Sequence, residues 1–275
     1  MRQNEIIIEA GKSSRRYFKD IWLYRELFYF LAWRDVLVRY KQTVIGIAWA
    51  VLRPLLTAIV FTVVFGKLAK MPTEGAAPYA IMVFAGMLPW QFFASSLSES
   101  SNSVIANANM VSKIYFPRII VPSSAVIVCF VDFLISFVIL AGMMAWYNFW
   151  PDWKILILPL FTAVAFMAAL GAGLWLSALN VKYRDFRYII PFIVQFGLYI
   201  SPVGFSSSVV PEKWRLLYSL NPMVGVIDGF RWCILGQESN IYWNGFYLSL
   251  VLVTLLFTSG FWYFRKTERA FADFI

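Results

Sequence analysis

The sequence contains no histidine, and only 14% of its 275 residues are charged. Without histidine the chain lacks the side chain that most readily moves protons near neutral pH and most often ligates metals. Acid–base or metal catalysis therefore has few groups to rest on. The two cysteines, Cys129 inside an apolar run and Cys233 in a connecting region, are too few and too far apart for a disulfide framework and read as small packing residues. So little charge excludes an ordinary soluble domain. The net charge of +9 does not indicate nucleic acid, because the basic residues sit in short stretches between apolar runs.

What is abundant is apolar and aromatic: 60% of the chain is hydrophobic and 19% is Phe, Trp or Tyr. Six stretches reach or approach the ~20 apolar residues a membrane-crossing helix needs, at roughly 44–66, 77–97, 119–147, 155–179, 188–206 and 244–264. None alternates with period two, which excludes a membrane β-barrel. Arg53-Pro54 in the first and Pro89 in the second are tolerable where neighbouring helices cover the freed backbone. Counting Lys and Arg on alternate sides gives seventeen on the side of both termini and six on the other, with Arg53 inside the first span. Both termini are therefore expected in the cytoplasm. The first forty or so residues are polar and charged, so no cleavable secretion signal is expected.

The expected fold is an all-α integral membrane protein. Residues 1–43 form a cytoplasmic tail and interfacial helix, 44–264 a six-helix transmembrane domain, and 265–275 a second cytoplasmic tail. The interfacial helix is read from 17–43, which is dense in Trp, Tyr, Phe and Leu but interrupted by Arg25, Glu26, Arg34 and Asp35. Asp35 and Arg39 stand at the favourable i, i+4 spacing.

Near the start, "IIIEAGKSS" (6–14) ends in Gly11, Lys12 and Ser13, which suggests a phosphate-binding loop. Such a loop needs a glycine five positions before Gly11, and that position is Ile6. A polar tail is the better reading, and no nucleotide site is expected on this chain.

Two connecting segments stand out. In "SESSNSVIANANMVSKIYFPR" (98–118), Ala106, Met110 and Ile114 recur at i, i+4, i+8, with Lys113 beside them. Such a ridge suits docking into a groove of another protein, or it is a self-packed connector. In 206–240, Asn221-Pro222 is a helix start and Gly236 a stop, with a second start at Pro211. A helix of about 14 residues spans only ~21 Å, too short to cross. Two short apolar helices between the fifth and sixth spans suggest a re-entrant element, or helices resting on the outer leaflet. Within it, Gly225 and Gly229 offer flexibility, and Asp228 and Arg231 share a face, so Pro222, Gly225, Asp228, Gly229 and Arg231 are candidate gate residues.

Arg53 and Asp132 lie inside apolar spans, where charge is expensive and usually functional. A structural ion pair between them, or snorkelling by Arg53, outweighs a proton relay. Aromatic rings pack against the C–H faces of sugars as well as against each other. Most of them pack or form interfacial belts, and Trp49, Phe84, Trp90, Phe92 and Phe93, in the first two spans, are the candidates for such sugar-stacking contacts along a conduit.

"RYKQTVIGIAWAVLRPLL", "VFAGMLPWQFF", "SKIYFPR", "NVKYRDFRYI" and "LNPMVGVIDGFRW" together resemble the membrane subunit of ABC exporters for bacterial surface polysaccharides. These are the O-antigen and capsule permeases, related to teichoic-acid permeases. The resemblance implies a channel-forming permease in the bacterial inner membrane, with no enzymatic activity of its own. It implies a permease homodimer and two copies of a cytoplasmic ATPase, which holds the ATP and magnesium. The cargo so implied is a lipid-linked polysaccharide, O-antigen foremost, or a capsule or teichoic-acid polymer. It would place the interface helix at 17–41, the coupling helix at 106–115 and the gating helices at 211–219 and 222–235. A secondary transporter would show inverted repeats and midplane ion ligands, and a membrane glycosyl- or acyltransferase a catalytic acid, base or metal. Neither pattern is found.

Overall fold

A computed structural model describes residues 14–41, 46–74, 77–236, 239 and 241–274. Gly11, Lys12 and Ser13 lie outside them. The described chain is helical, and no strand occurs among the described residues.

Helix α1 (Ser14–Leu23) leads through one turn residue into α2 (Arg25–Lys41). Helix α3 (Gly46–Phe61) continues as a wider π-helical turn over Thr62–Leu68. Helix α4 (Tyr79–Ala106) is followed by the short α5 (Ala108–Lys113) and by α6 (Ile120–Trp146). A 3-10 turn, Trp153–Ile157, runs into α7 (Leu158–Lys182), and α8 spans Phe186–Ile200. Helices α9 (Glu212–Tyr218), α10 (Pro222–Leu235) and α11 (Trp243–Thr267) follow, and a last turn leads into α12 (Phe271–Phe274).

Five of these helices are long and apolar enough to cross a membrane: Val51–Leu68, Tyr79–Ala106, Ile120–Trp146, Trp153–Lys182 and Trp243–Ala270. The stretch expected as a span over 188–206 gives instead the 15-residue α8. At 1.5 Å per residue it covers about 22 Å of a ~30 Å apolar layer. Its end has a local cause. Ser201 precedes Pro202, whose ring disfavours helical backbone at the residue before it, and Ser201 is extended at ψ 149°.

Helix α4 is the central post. Of its apolar stretch 83% is buried, against 11% for the α3 span, and it packs against α6, α7 and α10. Phe84, Leu88 and Phe92 of α4 meet Phe133, Phe161 and Phe230 in the larger core. A second core gathers Leu31, Val104, Val111, Phe116, Leu174, Phe264 and Phe271. Helices in lipid gain little from apolar burial alone and are drawn together by close packing of small residues. So it is between α7 and α11, where a Cβ on Gly171 would stand 2.6 Å from the Cα of Phe257.

Candidate functional site

A cavity of about 590 Å³ opens between α2, α3, α4, α6 and α8. It gathers Trp49, Trp90 and Phe92 with Arg53 and Asp132, residues spread over 84 positions of the chain. Gln91, Ser95, Ser98 and Gln195 add amide and hydroxyl groups to its wall. Phe84 and Phe93 do not line it. Phe84 is 0% exposed within the core, and Phe93 lies behind Trp90, ring centroids 5.7 Å apart. Trp90 and Phe93, three residues apart, lie on one side of the helix, and there the Trp90 ring stands between Phe93 and the cavity.

The partner of Asp132 is Arg39, not Arg53. The carboxylate accepts hydrogen bonds from the Arg39 guanidinium and from the Tyr40 hydroxyl, while Arg39 also donates to Glu99 of α4 at 2.9 Å. The expected Asp35–Arg39 pair does not form, because Asp35 is held by Arg34 at 2.7 Å. Helix α2 packs along α6, and its last turn carries Arg39 to the acid. Burial is the largest single influence and works against the Arg39 charge, but Asp132, Cys129 and Glu99 together outweigh it and the pKa is raised. Burial, and then the hydrogen bond to Asp132, hold the Tyr40 phenol protonated. Arg53 lines the same cavity from α3, and among the described residues no hydrogen bond or ion pair engages its side chain. The signal for Arg39 was available in principle: a lone acid inside an apolar span calls for a base nearby.

On α10, the Asn221 side chain caps the helix by accepting from the Met223 amide at 3.1 Å, Pro222 opens the first turn, and Gly236 closes the helix at φ 69°. Gly225 donates its amide to Ser249 Oγ of α11 at 3.3 Å, and Gly229 lies under the Phe161 ring. These glycines permit close packing against neighbouring helices. Asp228 is buried, and Arg231 is 0% exposed. Arg231 donates to the carbonyls of Phe205 at 2.7 Å, Val203 at 2.8 Å and Met82 at 3.3 Å, and its ion-pair partner is Glu74 at 3.8 Å rather than Asp228. The fork of the guanidinium thus ties α10 to α4 and to the turn after α8.

The expected ridge of Ala106, Met110 and Ile114 is not one helix. Ala106 ends α4, Asn107 forms a turn, α5 holds Met110 and Lys113, and Ile114 is extended at φ −121°, ψ 135°. Asn107 breaks the helix because its side chain bonds locally, donating to the Ser103 carbonyl at 2.9 Å and accepting from Arg34 at 3.3 Å. Met110 turns toward the second core, whereas Ala106, Lys113 and Ile114 are exposed.

A family model described as an ABC-2 type transporter matches residues 26–235. The chain is 28% identical over 247 residues to an O-antigen export system permease protein RfbA of Klebsiella pneumoniae, covering 88% of this chain and 92% of that protein. A second RfbA of that species is 27% identical over 248 residues, with the same coverage. One from Myxococcus xanthus is 24% identical over 218 residues, 78% of this chain and 83% of its own.

Proposed function

Because the chain belongs to the ABC-2 type transporter family, we propose that it is the permease subunit of an ATP-driven exporter that carries a lipid-linked surface polysaccharide, O-antigen foremost, across the bacterial inner membrane. The observation that carries this reading is the composition of the cavity. Trp49, 58% exposed, offers a face on which sugar rings slide, Trp90 and Phe92 form the wall beneath it at 5% and 2% exposed, and Gln91, Ser95, Ser98 and Gln195 offer hydrogen bonds to hydroxyls. Two arginines, Arg39 and Arg53, stand against two acids, Glu99 and Asp132, so the wall suits an uncharged polyhydroxylated chain. The names of the relatives support the O-antigen assignment.

In this reading two permeases enclose the path, and two cytoplasmic ATPase subunits bind ATP and magnesium and drive it. The exposed Ala106, Lys113 and Ile114, with Met110 as their inward anchor, form the docking element for the ATPase. The chain crosses six times with both termini in the cytoplasm. The short α8 completes its crossing through residues 201–204, in line with the Tyr79 hydroxyl meeting the Gly204 carbonyl at the start of α4. Helices α9 and α10 form the re-entrant pair. The gate residues Pro222, Gly225, Asp228, Gly229 and Arg231 act as part of a rigid unit with α4, α7 and α11.

The test is reconstitution in liposomes with an ABC ATPase subunit and a fluorescent lipid-linked glycan. Export requires both subunits and ATP, and Trp90→Ala lowers export while leaving basal hydrolysis intact. Export without an ATPase subunit, or equal export by the Trp90 variant, overturns the assignment.

A further inference from the structure

The two ends of the described chain meet each other, and the C-terminal one packs on α5. Helix α1 lies along the last turns of α11: Phe18 stacks on Phe261 with centroids 5.7 Å apart, Tyr17 meets the same ring edge-on at 6.3 Å, and Arg265 sits 4.8 Å from the Tyr17 ring centre. The Tyr17 hydroxyl donates to Glu268 Oε2 at 2.9 Å. Arg118, five residues beyond α5, donates to the Glu268 backbone carbonyl. Burial first, and then the Glu268 carboxylate, raise the Tyr17 pKa, so the phenol remains a donor. Phe271 of α12 is buried, meets Phe264 edge-on at 5.2 Å, and shares the second core with Val111 of α5, Phe116 and Leu31.

Helix α5 does not hold itself in place. Six residues are far below the length at which a helix is stable alone, and Val111 is the one residue of it that is fully buried. Its orientation is set by what packs on that side, and α12 does so directly. We propose that residues 268–274, with Tyr17 and Arg118, form a clamp that fixes the orientation of α5 and thereby sets how firmly the ATPase subunit is held and how fully its hydrolysis is converted into export. This rests on the reading of α5 as the docking element. Tyr17, Arg118 and Phe271 are positioning residues: they act on the ATPase through α5. No side chain of the clamp lines the 590 Å³ cavity, so its loss affects transmission rather than passage.

The experiment uses the full-length chain with Cys129→Ala and Cys233→Ala and a spin label on Ser112→Cys, an exposed position of α5. It is compared with the same chain ending at Thr267 and with Phe271→Ala, Phe271→Leu and Tyr17→Phe. Label mobility rises in the shortened chain and in Phe271→Ala, is restored by Phe271→Leu, and rises partly in Tyr17→Phe, which removes one oxygen and leaves the fold intact. Capture of the ATPase subunit weakens by about tenfold in the shortened chain, and ATP consumed per glycan exported increases. Unchanged mobility at Ser112 overturns the clamp, as does undiminished capture. If the unmodified chain captures no ATPase subunit, the functional reading fails instead, while the mobility at Ser112 still decides the clamp.

Discussion

Gly86 of α4 and Arg231 of α10 share one space: a Cβ on Gly86 would stand 2.9 Å from a terminal guanidinium nitrogen of Arg231. The absent side chain is what admits a buried cation to the centre of the bundle, where three carbonyls receive it.

Gly86→Val is therefore expected to push the guanidinium off Val203 and Phe205 and to destabilise the protein by about 2–4 kcal/mol, since buried donors and acceptors lose their partners together. Thermal unfolding in detergent measures it. Arg231→Lys is expected to be nearly as damaging, because one ammonium cannot serve three carbonyls arranged around a planar fork. A lysine variant as stable as the parent would refute that geometry.

For the Arg39–Asp132 link, the double variant Arg39→Ala/Asp132→Ala is expected to be milder than the sum of the single ones. Without Arg39 the Asp132 carboxylate keeps only the Tyr40 hydroxyl, and without Asp132 the Arg39 guanidinium loses its nearest acid while keeping Glu99, and the coupling should amount to about 0.5–3 kcal/mol. A double-mutant cycle on unfolding reads it. Additive effects would mean the pair contributes nothing.

The two aromatic classes on α4 should separate cleanly. Phe84→Ala empties a buried site and is expected to cost about 3–5 kcal/mol of stability. Trp90→Ala, at the cavity wall, is expected to lower glycan export more than it lowers stability. Unfolding midpoints and liposome export, measured on the same preparations, distinguish the two.

Around α5, Ile114→Asp and Lys113→Glu change exposed residues and are expected to weaken ATPase capture without altering the unfolding midpoint. Met110→Asp places a charge toward the second core and is expected to destabilise the permease itself. Co-purification and thermal unfolding together check the assignment.

The sidedness follows from the basic residues. Single cysteines at Ser112 and at Ser208, both exposed, in a chain lacking Cys129 and Cys233, should react with a membrane-impermeant reagent from opposite faces. Labelling from one face would remove the six-crossing arrangement.

The long helices α4, α6, α7 and α11 were legible because twenty or more apolar residues in a row admit few other structures. Helix α10 was legible to the residue, since Asn221, Pro222 and Gly236 are local signals that act locally. Helix α8 was read too long, although Pro202 already marked its end. The ridge at 106–114 failed because the i, i+4 pattern was followed through Asn107, whose side chain competes for the backbone. Of the five aromatic candidates, Trp49, Trp90 and Phe92 line the cavity, together with both intramembrane charges, Arg53 and Asp132. The Arg39–Asp132 bond was not, because it joins residues 93 positions apart and no periodicity reports on such a distance.

Helix α4 occupies the middle of the molecule, yet it is the second span to be synthesised, and its occupants arrive late. Arg231 fills the space beside Gly86 only after residues 107–231 have followed α4 out of the ribosome. Until then the carbonyl of Met82 and the face that α10 will cover are open to lipid or to whatever chaperones the nascent chain. A premature stop before Pro222 thus leaves the innermost helix unfinished, and such fragments should be cleared by membrane proteases rather than accumulate as partly working channels.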